Sequence, residues 1–402
     1  MNQSASEAPA SGVAVQDYRS LFGAQWAPWV GGLLLSAINV MMFAYLKPWN
    51  VAEGLENWGN WILRGVGMET GELAPPQLLT TSVTNISLLL GALAAALLSR
   101  EFGLRLASRR DMARSALGGV FMGVGAVLGM GCTVGAFLSG YSALSLGGVV
   151  MLFSLMIGAY LGLRILMWDL QHESPAEHGV AAAPSQRWYR MQPYVGAALL
   201  VALLAWMLWD SQQFTYAGIT GRRSVLIGFG LLLGIVNQRS RFCFVRAFRE
   251  PFMTGEAAMT KGAALALVVG VLGFAVIKSG DLSDLRSADT FVNATVWVGG
   301  LLGGILFGIG MVLAGGCGTG TLWRAGEGQV KFWLTLLVFC VSGALFSDLM
   351  RLYNWREKLG DVAYYVPNLL GWRGGMLFLL ALPVAWYLLA AWNERRELFV
   401  VR

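Results

Sequence analysis

Long apolar stretches separated by short polar ones run the length of this chain. They fall near residues 27–46, 78–98, 116–131, 146–166, 193–209, 224–238, 262–278, 295–314, 331–350 and 371–391. A helix needs about 20 apolar residues to cross the hydrocarbon of a bilayer. None of these stretches alternates apolar and polar positions as the strands of an outer-membrane barrel do. The pattern predicts an all-α polytopic membrane protein with about ten spans. Two spans, 116–131 and 224–238, are short for a full crossing. Short, glycine-interrupted segments in matching places are how transporters build a central binding site.

Composition supports this class and excludes others. Of 402 residues, 56% are hydrophobic and only 13% are charged. Soluble domains carry about a quarter charged residues, so a soluble enzyme, a disordered chain and a disulfide scaffold are all excluded. The net charge of +6 lies mostly in the loops, so membrane orientation explains it without nucleic acid. Basic loops occupy 99–115, 239–261 and the segment after 391, and acidic ones 47–77 and 279–292. Lysine and arginine favour the cytoplasmic side, which predicts ten crossings with both termini in the cytoplasm. The expected organisation is a flexible tail over 1–26, a first transmembrane repeat over 27–209 with a polar linker at 167–192, a second over 210–391, and a tail over 392–402. Residues 1–20 show no charged stretch followed by an apolar core, so no cleaved signal peptide is expected.

The division into halves rests on an internal likeness. Residues 118–135 (GGVFMGVGAVLGMGCTVG) and 303–320 (GGILFGIGMVLAGGCGTG) share nine of eighteen positions at an offset of 185, Cys132 and Cys317 among them. Gly158 and Gly343 extend the match, and Thr70-Gly71-Glu72 matches Thr254-Gly255-Glu256 at an offset of 184. Five spans is an odd number, so the second copy runs upside down relative to the first. That is the 5+5 inverted-topology repeat of secondary transporters, with short or re-entrant Cys-bearing helices at the centre.

The candidate chemistry follows from the same segments. Gly131 precedes Cys132, and Gly316 and Gly318 flank Cys317. Bare glycines let backbone or ligand come close to a thiol. They also break the helix and leave N–H groups able to hold an anion, beside the hydroxyls of Thr133 and Thr319. Packing through small residues is the plainer account of one such motif, but two related motifs point to a site. Cys243 lies among Arg241, Arg246 and Arg249; these cations either favour its thiolate or simply obey the positive-inside rule. At an offset of 184 its counterpart is Gly59, so it stands outside the symmetric pair. Cys340 reads as packing inside a span. Both histidines, His172 and His178, lie in the linker, so no histidine metal site is expected, and no cofactor motif is present. The tryptophans, among them Trp26, Trp29, Trp49, Trp58, Trp61, Trp206 and Trp209, read as an aromatic belt at the span ends.

At these residues the chain resembles the YeeE/YedE family of membrane proteins with sulfur-transport domains. Gly129-Met-Gly-Cys and Val312-Leu-Ala-Gly-Gly-Cys-Gly-Thr-Gly, followed by Arg324-Ala-Gly-Glu-Gly-Gln-Val, match two of its signatures. Phe242-Cys-Phe-Val-Arg-Ala-Phe-Arg-Glu resembles the middle signature of the longer YedE-type members. The resemblance implies a multi-pass protein of the bacterial inner membrane that imports an inorganic sulfur compound, thiosulfate being the established class. It places Cys132, Cys317 and Cys243 on a central path where thiols pass the ion by hydrogen bonds. Charge alone makes Arg241, Arg246, Arg324 and Arg64 candidate anion attractors. YedE-type members are also tied to selenium metabolism, which leaves a reduced selenium species as an alternative cargo. A small cytoplasmic sulfur-carrier protein is the implied partner. Two further readings are a membrane thiol oxidoreductase, which lacks a C-x-x-C pair here, and a structural subunit, which does not require matched thiols.

Overall fold

The computed structural model describes residues 22–68, 73–172, 186–216, 219–279, 298–355 and 362–400, together with Phe291 and Lys358. Most of the 1–26 tail, Glu69, Glu72, the Thr70-Gly71-Glu72 match, His178, the centre of the linker, the acidic 279–292 loop but for Ser279 and Phe291, and Arg402 lie outside the described residues.

The first half contains α1 (Pro28–Tyr45), α2 (Ala52–Gly65), α3 (Thr80–Leu98), α4 (Arg109–Leu128), a π-helical segment (Thr133–Ser139) continued by one turn at Gly140–Ser142, α5 (Leu146–Gln171) and α6 (Gln186–Trp209). A small antiparallel hairpin follows, β1 (Gln213–Tyr216) with β2 (Ile219–Arg222), in a register that sets Phe214 opposite Gly221. The second half contains α7 (Arg223–Ser240), α8 (Phe244–Met253), α9 (Ala258–Ser279), α10 (Val298–Ala314), α11 (Gly318–Gly326), α12 (Val330–Leu352) and α13 (Val366–Arg396). The chain is thus an all-α membrane protein apart from one hairpin. Among the described residues nine helical segments are long and apolar enough to cross a membrane, α10 and α11 forming one of them as Val298–Gly326. The span expected at 224–238 is the helix α7, but its polar ends, Arg223 and Asn237 to Ser240, keep it outside those nine.

Several boundaries differ from the apolar pattern, each for a local reason. α4 begins inside the basic loop because the Ser108 hydroxyl accepts from Asp111 N at 3.1 Å and caps it. The span expected to be short at 116–131 therefore reaches 20 residues. The linker shrinks from both sides, since α5 runs to Gln171 and α6 starts at Gln186. α13 runs on to Arg396, past the expected start of the tail, and the chain breaks within it at Gly371, where φ is +72°. The loops expected at 47–77 and 239–261 contain α2 and α8, two short amphipathic helices whose apolar sides are buried by tertiary contacts. Trp49, expected in the belt, is fully buried, its backbone N–H donating to Asn39 Oδ1 at 2.8 Å.

Glycine faces bring the long helices together. α4 crosses α10 with Gly118 against Gly310 and Gly125 against Gly303, α5 crosses α10 at Gly158 and Gly308, and α3 crosses α7 at Gly91, Gly230 and Gly234. A Cβ on Gly125 would stand 2.6 Å from Phe307 N and 2.7 Å from the Gly303 carbonyl oxygen. With no hydrophobic effect between helices in lipid, such close backbone approach is what holds them together.

A buried ionic network ties the end of α7 to the end of α11. Glu101 Oε2 accepts from Gln238 Nε2 at 2.6 Å and from Arg241 Nη2 at 2.9 Å. Arg239 reaches the same carboxylate at 3.6 Å, while Glu327 accepts from Gln238 at 3.1 Å and lies 3.5 Å from Arg241. Segment 103–105 runs beside 327–330, with Gly103 N donating to Glu327 O and Arg105 N to Gly328 O.

Two outcomes are expected. Gly125→Ala should lower the thermal midpoint of the detergent-purified protein, by an overpacking cost of about 1–3 kcal/mol. Gly374→Ala, where the new Cβ meets only Leu370 Cβ at 3.5 Å, should leave the midpoint unchanged. Equal midpoints for both variants would mean the α4–α10 crossing has slack. Glu327→Gln removes one of two carboxylates facing Arg239 and Arg241 and should cost on the order of 3 kcal/mol; an unaltered unfolding midpoint would show that Glu101 suffices.

Candidate functional site

Three of the four cysteines stand at the first turn of a short helix. Cys132 caps the π-helical segment, Cys243 caps α8 and Cys317 caps α11; Val51 holds the same position at α2. All four residues are buried. Each cap carbonyl accepts the first helical bond: from Ala136 N at 2.9 Å, Ala247 N at 3.1 Å, Thr321 N at 2.8 Å and Leu55 N at 3.2 Å respectively. The cysteines themselves are in extended backbone, as caps are. Gly59, which an offset of 184 pairs with Cys243, lies inside α2 against the Cys340 carbonyl; the residue of α2 in the capping position is Val51.

One backbone device precedes all three thiols. Two residues before each cysteine the chain turns left-handed, at Met130 (φ +52°), Arg241 (φ +49°) and Gly315 (φ +75°). This turn ends the long helix and aims the next segment inward. Two of the three residues are not glycine, and that conformation costs each on the order of 1 kcal/mol. Gly131 has φ +149°, and a Cβ there would be 2.7 Å from Ala136 N, so only glycine fits.

The caps converge on the bare backbone of α11. A Cβ on Gly318 would lie 3.4 Å from Val51 Cγ1, 3.5 Å from Phe339 Cε1 and 3.6 Å from Cys132 Cβ. One on Gly320 would lie 3.6 Å from Cys317 Sγ and 3.9 Å from Cys243 Sγ. The thiols of Cys243 and Cys132 and the Thr133 hydroxyl are electrostatic neighbours of the Cys317 thiol. Thr133 and Thr319 are buried; the Thr133 hydroxyl lies against the Cys317 thiol, and among the described residues the Thr319 hydroxyl has no hydrogen-bond partner. Thr321, in contrast, donates to the Gly318 carbonyl at 2.7 Å. Gly316 is packed against Phe332, whose Cε1 would be 2.8 Å from a Cβ there. Cys340 lies buried in α12, among packing contacts.

Two open cavities approach this cluster from the α2 side. The larger, about 350 Å³, is lined by Asn50, Glu53, Glu56, Met130, Gly131 and Phe339. The smaller, about 240 Å³, includes Lys47, Trp49, Asn50 and Ser139, and Lys47 Nζ pairs with Glu53 at 2.8 Å.

The three arginines singled out from the sequence are placed differently from one another. Arg241 is held by Glu101 and Glu327 in the ionic network. Arg246 pairs with Glu250 along α8. Arg324 donates to the Gly315 carbonyl and lies over the rings of Trp323 at 4.9 Å and Phe332 at 5.3 Å, so it stands beside the Cys317 turn. Sequence reasoning passed over Val51, Phe339 and Lys331, and treated Arg249 only as a neighbour of Cys243. A valine, a mid-span phenylalanine and a lysine at a span end carry no signal by themselves. Burial pulls the Arg249 guanidinium below its usual pKa, an effect partly offset by Cys243 and Glu250.

The site therefore gathers buried thiols, the Thr133 and Thr319 hydroxyls and the side-chain-free helix start at Gly318 and Gly320 in an apolar setting. The profile of a family described as sulphur transport matches residues 2–161 and 239–400. The chain is 28% identical to the probable transporter YedE of Salmonella typhimurium and 29% identical to that of Escherichia coli K12, each over 92% of this chain and 93% of the relative. It is also 40% identical to the thiosulfate transporter TsuA of Escherichia coli K12 over 120 residues, which is 30% of this chain and 32% of that protein. A match across most of the chain, over two stretches that include Cys132, Cys243 and Cys317, shows that this protein belongs to the YeeE/YedE sulphur-transport family.

Proposed function

We propose that this protein imports thiosulfate across the bacterial inner membrane along a path lined by Cys132, Cys317 and Cys243. The observation that carries this reading is the convergence of three capping thiols on the side-chain-free stretch of α11 around Gly318 and Gly320. A divalent anion cannot enter hydrocarbon unless donors meet its charge. Thiol S–H groups and the hydroxyls of Thr133 and Thr319 supply such donors. Each is weak, so the ion can leave as well as enter; a strong cation at the same depth would trap it. Thiosulfate presents a soft terminal sulfur, a match for polarisable thiols. The partial-length likeness to TsuA supports this cargo.

The reading includes a 5+5 inverted repeat, with α7 as the tenth span and both termini in the cytoplasm. Element order supports it: each half runs long, short, long, long, short, long, long. Packing supports it too, because α3 on α7 answers to α9 on α1, α4 on α12 to α10 on α5, and α6 on α3 to α13 on α9. Val51 then answers to Cys243, which would leave the path three thiols and one apolar wall.

Labelled thiosulfate uptake in a strain lacking its own sulfate and thiosulfate importers tests the function. Cys132→Ala and Cys317→Ala should reduce uptake to background at equal membrane levels, and serine at either position should retain more than alanine, since a hydroxyl still donates. Full uptake by both alanine variants would end the thiol-path reading. Competition by reduced selenium compounds tests the alternative cargo in the same cells. For topology, alkaline phosphatase, which is active only outside the cytoplasm, should be active when fused after residue 68 and inactive after residue 172. The reverse pattern would overturn the orientation.

A further inference from the structure

Cations gather at the end of the thiol series away from the two cavities. Gly315 and Gly316, the residues before Cys317, are their meeting point. Arg324 donates to the Gly315 carbonyl. Lys331 Nζ is 3.7 Å from where a Cβ on Gly315 would stand. Both cations lie over the ring of Phe332, Arg324 at 5.3 Å and Lys331 at 5.1 Å. Arg249, six positions after Cys243, belongs to the same group: the charges near it are Cys243, Glu250, Arg324 and Arg246. Its Nε is buried and has no hydrogen-bond partner among the described residues.

The nearby acids are already engaged. Glu250 is taken by Arg246, and Asp111 by Arg114 at 2.7 Å. Among the described residues none of Arg249, Arg324 and Lys331 makes an ion pair. Three like charges brought together in a half-buried place raise one another's energy, and burial adds a desolvation cost. Glu250 and Asp111 lie near enough to offset part of this cost, but each is paired to another arginine, which leaves the three cations in excess, the electrostatic condition of an anion site. Guanidinium groups present planar forks that fit an oxyanion, and Lys331 adds a mobile point charge.

We propose that Arg249, Arg324 and Lys331 form a binding subsite for a divalent sulfur oxyanion at the Cys243–Cys317 end of the path. It rests on the transport reading in one respect, that its occupant in the cell is the transported ion. The division of labour follows from the chemistry of that ion. The oxygens of thiosulfate meet the cations while its terminal sulfur still faces the thiols. Sulfate has the oxygens and lacks the terminal sulfur, so the subsite binds sulfate as well as thiosulfate, although the thiol series discriminates between them.

Equilibrium binding of labelled sulfate and labelled thiosulfate to the detergent-purified full-length protein tests this apart from transport. Wild type should bind both. Arg249→Gln and Lys331→Gln should each weaken sulfate binding by about tenfold or more, the loss expected for one charge-assisted contact. Arg249→Lys should retain an intermediate affinity, and unchanged thermal midpoints would exclude misfolding as the cause. Sulfate binding that is absent from wild type, or equal in wild type and Arg249→Gln, overturns the subsite. Sulfate binding that depends on Arg249 upholds it even where wild type takes up no thiosulfate, the result that would instead sink the proposed function.

Discussion

A polypeptide that stops being helical inside an apolar medium must still satisfy its N–H and C=O groups without water. This constraint organises the centre of the molecule. α4, α7 and α10 each end in a left-handed residue, pass through one more residue and start a new short helix at a cysteine. The cap carbonyl takes up the first bond of the new helix, so the break costs little on the acceptor side. On the donor side the Cys132 thiol itself accepts from Val134 N at 3.5 Å, and the buried Thr319 hydroxyl stands nearby without a partner among the described residues. The polar groups gathered there are thus a by-product of breaking helices inside an apolar core.

The rest of the fold keeps these breaks in register. Glycine-to-backbone crossings between α4 and α10, and between α3 and α7, bring the long helices close enough for their broken ends to meet. The ionic network around Glu101 and Glu327 fastens the end of α7, and with it the Arg241 turn before Cys243, to the end of α11. Arg241 is thereby committed to holding a Cys-bearing segment in place. Charge is graded along the site: carboxylates of Glu53 and Glu56 line the larger cavity on the α2 side, thiols and hydroxyls fill the middle, and cations stand by Gly315 at the other end.

The thiols come together from distant parts of the chain. They belong to three separate segments, and no cysteine has another within three positions in the chain. A dithiol enzyme holds its pair where one sulfur can attack a substrate and the other resolve it. Here the shared element is instead a bare glycine backbone, which adds room and no reactivity. The transporter names of the relatives are in keeping with this.

The class, most spans and the glycine-flanked setting of Cys132 and Cys317 are legible in the order of residues alone, because lipid imposes a length and a composition that any window of residues displays. Repeated glycine-flanked cysteines are likewise legible, since glycine beside a thiol signals close approach wherever it occurs. The short helices α2 and α8 were not legible. Their residues look like polar loops, and only burial of one face by neighbouring helices makes them helical. A constant offset of 184 leads from Cys243 to Gly59, which lies inside α2, whereas the residue in the capping place of α2 is Val51, a position that only the fold displays. Trp49 and Arg249 resembled belt and loop residues because burial and the absence of a partner are properties of the surroundings. Which residues carry unusual chemistry is written locally; which of them meet is decided by helix crossings between residues more than a hundred positions apart.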